Sequence, residues 1–80
     1  MSDEEIDQAI LSLLSAVKGH WTKVALVVAT VASETGIDLP DGDEGYERVG
    51  RRIEVLVNQR RLIAQGDVQN WRHSEVRTPN

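Results

Sequence analysis

The residue types best able to do chemistry cluster near the C-terminus, where His73, Ser74 and Glu75 are by type the base, nucleophile and acid of a hydrolytic triad. Their spacing works against that role. Consecutive residues of a strand point to alternate faces, so these three cannot pass a proton among themselves. His20 and His73 could join Glu75 as metal ligands only if a strand near His20 paired with the C-terminal segment, and two histidines outside a ligand motif more often hydrogen-bond locally. Asp41, Asp43 and Glu44 suggest a calcium loop, but the alternation of oxygen ligands breaks at Gly45 and Tyr46 and no glutamate takes the twelfth position. Nucleophile elbows, phosphate loops and zinc-protease motifs are missing. The absence of cysteine excludes thiolate chemistry and disulfides. The expectation is a protein that is not an enzyme, with no catalytic residue, no metal or cofactor and no evident small-molecule substrate.

Arginines offer a different chemistry. Arg48, Arg51 and Arg52 fall within one helical segment, with Arg60 and Arg61 at its end, and such side chains can bond guanine edges or phosphates. Arg72 adds a basic group to the segment that follows. Against DNA stand Asp38, Asp41, Asp43, Glu44 and Glu47, which crowd the start of the same helix, and a net charge of −4. Acids at a helix start and bases at its end also complement the helix dipole, at ~0.3–1 kcal/mol each. Glu44 with Arg48, and Glu47 with Arg51, stand at the i to i+4 spacing of self-paired surface helices. Val55 is placed among the arginines, away from the apolar stripe, and Leu11 outside the apolar arc of its own helix. Either could join a tryptophan in a patch for a protein partner or a homodimer. Contact residues for DNA or a partner are therefore sought at Arg48, Arg51, Arg52, Val55 and Arg72.

These groups must be positioned by a single domain spanning residues 1–80, because a chain this short buries only about 60% of its unfolded surface in one core. The apolar run Val24 to Ala32 is about half of the ~20 residues that cross a bilayer, and the acidic start Asp3, Glu4, Glu5 is unlike a signal peptide. No membrane association and a cytoplasmic location are expected.

Ser2 and Glu5 fit a capping box, and Ile6, Ala9, Ile10, Leu13, Leu14 and Val17 recur at helical spacing to near Gly19. The segment "HWTKVALVVATVASETG" reads as a helix with Thr22 as N-cap, Val24, Val27, Val28 and Val31 on one stripe, Gly36 as C-cap with an apolar contact from Ile37, and a very short strand at His20 and Trp21. After the loop at Pro40, Asp41 and Gly42, Asp43 is the expected cap of a third helix whose core stripe is Tyr46, Val49, Ile53, Leu56 and Val57. Leu62 to Gln65 then makes a strand, Gly66 and Asp67 begin a turn, and Trp71 to Arg77 forms the return strand, with residues 78–80 fraying. Trp21 and Trp71 are the expected anchors of the hairpin on the helices.

Three helices followed by a C-terminal hairpin, with a short strand near Trp21, is the order of a winged-helix-like α+β domain. Moreover, "WTKVALVVA", "RRIEVLVNQRRLIAQGD" and "WRHSEVR" resemble a small bacterial family of unknown function, similar to the C-terminal module of some two-domain bacterial proteins. The likeness covers roughly residues 20 to 77 and is carried by Trp21, the Arg52-to-Leu62 helix end, Gly66-Asp67 and Ser74 to Arg77. It implies the fold and brings no biochemical activity with it. The reading that follows is a non-catalytic binding module acting on a protein partner or on itself, with a winged-helix DNA-binding regulator as the alternative.

Overall fold

The computed structural model describes residues 2–36, 42–67, 70 and 73–79, with the backbone alone at Gly42 and Asp43. These residues form three helices and a three-stranded antiparallel sheet, an α+β arrangement in the expected order. Helix α1 (Asp3–Ala16) begins where the Ser2 Oγ accepts the Glu5 N–H at 3.2 Å. Its inner side carries Ile6, Ile10 and Leu14, all fully buried.

Strand β1 is Thr22–Lys23 and runs straight into α2 (Val24–Thr35). The strand expected at His20 and Trp21 is therefore displaced along the chain, and Thr22 is not the cap. Its backbone is claimed by sheet pairing and its hydroxyl donates to the His20 carbonyl at 3.3 Å, so Lys23 takes the N-cap position without a side-chain bond. The Val24 N–H donates instead to the Ser74 carbonyl at 3.1 Å, which ties the helix start to the far end of the chain. Val24, Val27, Val28, Val31 and Ala32 are buried. Gly36 closes α2 in the left-handed region, at φ 73°, while Ile37, Asp38, Pro40 and Asp41 lie outside the described residues.

Helix α3 (Gly42–Asn58) starts at Gly42, so Asp43 lies within its first turn and not at the cap. Val49, Ile53 and Leu56 are fully buried, with Tyr46 and Val57 packed against them. The helix ends in two bonds of a Schellman motif, Arg61 N–H to Leu56 carbonyl (2.9 Å) and Arg60 N–H to Val57 carbonyl (3.0 Å), with Arg60 at φ 63° in the place glycine usually holds.

Strands β2 (Ile63–Gln65) and β3 (Glu75–Arg77) complete the sheet, whose order is β1-β3-β2. Val76 faces Thr22 on one side and Ala64 on the other. Buried Val76 and Leu62 close the end of the helical core, which among the described residues consists of isoleucine, leucine, valine and alanine. Leu62 precedes the strand, because its N–H still bonds the Leu56 carbonyl. The return strand is shorter than expected. The chain before it spends its hydrogen bonds on turns: Asn70 N–H to Asp67 carbonyl (2.8 Å), and His73 N–H and Ser74 Oγ to Asn70 carbonyl (3.0 Å each). Trp71 and Arg72 lie outside the described residues. At the other end, Thr78 is partly buried and its carbonyl accepts from the Arg77 guanidinium at 3.2 Å.

Gly66 has φ 80°, and a Cβ there would press into the carbonyl oxygen of His73. Gly66→Ala should therefore destabilise the fold by about 2–4 kcal/mol in urea unfolding, through strain and clash together. Arg60→Gly should do the reverse, adding roughly 0.5–1 kcal/mol by relieving the left-handed residue.

Candidate interaction surface

Arg48 and Arg52 stand one turn apart on α3, as Asp3 and Asp7 do on α1, and the two pairs meet. Arg52 grips Asp7 with both arms of its guanidinium, Nε to Oδ1 at 2.9 Å and Nη2 to Oδ2 at 2.8 Å. Asp7 is only 7% exposed, so this is an interhelical clamp at the edge of the core. Arg48 reaches Asp3 through Nη2 at 3.2 Å, and Arg52 also approaches Asp3 at 3.5 Å. The hydrogen bond to Asp7 holds the Arg52 pKa above its ordinary value; burial opposes this, and the charges of Asp7 and Asp3 reinforce it. Two of the three helix arginines thus turn toward α1, where the sequence suggested a solvated cluster.

The residues that α3 presents to water are Glu44, Glu47, Arg51 and Asn58, on one face at helical spacing, with Glu54 and Val55 half-buried beside them. Two exposed glutamates outnumber one exposed arginine, so this face is acidic. Arg51 is exposed, and among the described residues it makes no ion pair with Glu47, unlike the pairing its spacing suggested. Val55 is half-buried. Leu11 packs against the core from its margin and does not form an exposed patch.

Trp21, expected to anchor the hairpin on the helices, is 39% exposed and lies under the Arg77 guanidinium, 5.1 Å from the ring centroid. This cation–π contact fastens β1 to β3 from outside. Beside it on the sheet Gln65 Nε2 donates to Glu75 Oε1 at 2.6 Å. Ser74 is buried and Glu75 half-buried, as strand alternation requires, and the Ser74 hydroxyl is engaged with Asn70. The register that sets Thr22 opposite Val76 places His20 beyond one end of the pairing and His73 beyond the other. Among the described residues no group of three potential metal ligands comes together.

Leu26 is the residue that sequence reasoning missed. At 59% it is the most exposed large apolar side chain among the described residues, and it sits on α2 beside exposed Ala25 and Ala29. The signal was available: the stripe Val24, Val27, Val28 and Val31 leaves Leu26 on the far side, but so apolar a helix gives no polar face to contrast with it. Among the described residues no helix is long and apolar enough to cross a membrane.

Against protein-family models, curated proteins and solved structures, the chain finds no match. Its function has to be argued from its surface.

Removing Arg52 strands a nearly buried carboxylate, whereas Arg51 is solvated. Arg52→Ala should cost about 2–4 kcal/mol and Arg51→Ala less than about 0.5 kcal/mol, both read from chemical denaturation. An Asp7→Asn, Arg52→Gln double-mutant cycle should show positive coupling between the two positions.

Proposed function

We propose that this chain is a non-catalytic interaction module that works by contact with a protein partner or with a second copy of itself. The observation carrying this reading is the destination of the α3 arginines. Arg48 and Arg52 are directed at Asp3 and Asp7, leaving an outward stripe on which Glu44 and Glu47 face solvent with Arg51. Such a stripe repels phosphates instead of releasing counterions from them. Exposed apolar surface, the usual mark of a protein contact, lies on α2 at Leu26 and beside the sheet at Trp21.

The second reading, a winged-helix DNA-binding regulator, is favoured by the element order, with a strand between α1 and α2 and a hairpin after α3. It would place α3 in the major groove and make Arg51, with Arg60 and Arg61 at the helix end, the DNA contacts. The same winged-helix-like order serves a protein-binding module equally well, because fold alone does not select function.

Fluorescence anisotropy with labelled duplex DNA at about 50 mM salt separates the two readings, since phosphate contacts are strongest at low salt. The expected result is no saturable binding. Salt-sensitive binding that weakens on Arg51→Ala would overturn the proposal.

A further inference from the structure

Helix α2 has its charges at the wrong ends. Lys23 occupies the N-cap position and Glu34 the last turn, both exposed, so each sits at the pole of the helix dipole that disfavours its charge. Between them, from Val24 to Ser33, there is no charged residue at all. The outward face over this span is made by Leu26, Ala29 and Ser33, with half-buried Thr30 at its margin, and Lys23 at the N-cap and Glu34 in the last turn stand at its two ends, on one flank. Among the described residues neither Lys23 nor Glu34 enters an ion pair, and Glu75, the cross-strand neighbour of Lys23, accepts a hydrogen bond from Gln65.

We infer that the outward face of α2 is a homodimer interface, in which two copies pack α2 antiparallel with Lys23 of each meeting Glu34 of the other. This deepens the interaction-module reading and rests on it. A two-fold pairing brings each charge to the opposite one and to the pole of the facing helix that favours it. Glu34 of the second copy then supplies the acid that the first turn of α2 lacks, where the N-cap residue Lys23 makes no side-chain bond. Leu26 of each copy packs over the small side chains Ala29 and Ser33 of the other, which let the backbones approach closely. A parallel pairing would set lysine against lysine and glutamate against glutamate.

A helix of 12 residues is about 18 Å long, so this face buries only a few hundred Å² per copy, below the ~1,200 Å² total of stable specific interfaces and in the range of transient ones. The dimer is accordingly weak and concentration-dependent. Its specificity comes from the end charges.

Sedimentation velocity of the full chain, from roughly 10 μM to 1 mM, provides the test, with circular dichroism confirming that each variant is folded. The wild type should shift from monomer to dimer across this range. Leu26→Asp, at an exposed position, should remain monomeric. Lys23→Glu and Glu34→Lys should each weaken dimerisation by about fivefold or more, through repulsion at both symmetric contacts. Mixing the two variants restores both charge pairs, and the mixture should dimerise at least as well as the wild type. A wild type that stays monomeric at about 1 mM, where an association of only ~4 kcal/mol would already show, overturns the pairing and leaves the face to a different protein, with the DNA result on α3 unaffected. Dimerisation that survives Leu26→Asp, or a mixture that fails to recover, overturns the antiparallel α2 interface while self-association itself stands.

Discussion

The bidentate pair between Arg52 and Asp7 decides how α3 is turned. A helix can bury its apolar stripe over a range of rotations, but a planar guanidinium gripping a carboxylate through two bonds tolerates few of them. With Arg52 directed at α1, Val49, Ile53 and Leu56 meet the core, and Glu44 and Glu47 are left in water. Burying the pair costs desolvation that its attraction must offset, so its net stabilisation is modest and its main effect is orientation. Among the described residues Asp7 and Ser74 are the buried polar side chains, and every buried side-chain polar atom has a partner.

The aliphatic core imposes a second constraint. Branched valines and isoleucines pack densely with few rotamers, yet they cover less area than aromatic rings. The sheet therefore meets the helices through Val76 and Ala64, with Leu62 just before β2 beside them, and the described tryptophan goes to its outer surface. There Trp21 and Arg77 give the two-residue strand β1 a side-chain contact beyond its backbone pairing. A domain of this size has little stability in reserve.

Local features were legible in the sequence, because they depend on neighbours a few residues away. The Ser2–Glu5 cap, the valine stripe of α2, the Gly36 stop and the core stripe of α3 all follow from periodicity and capping chemistry. Features that join distant segments were not. Thr22 looked like a helix cap because nothing nearby revealed that Val76 would claim its backbone for a strand. The arginines of α3 looked like a solvated cluster because their partners, Asp3 and Asp7, lie 45 residues earlier on another helix. The acidic stripe became visible only when Arg48 and Arg52 were removed from it.

The middle strand of the sheet is also the last described element of the chain. Strands β1 and β2 do not touch each other, so neither has a sheet partner until Glu75–Arg77 arrives between them. Synthesis proceeds from the N-terminus, so the three helices precede this strand, and without Val76 the core they form is open at one end. Until then the Val24 N–H has no Ser74 carbonyl to bond and Trp21 has no Arg77 above it. Strand β3 thus works as a latch: through its two edges it holds together two strands that have no pairing with each other.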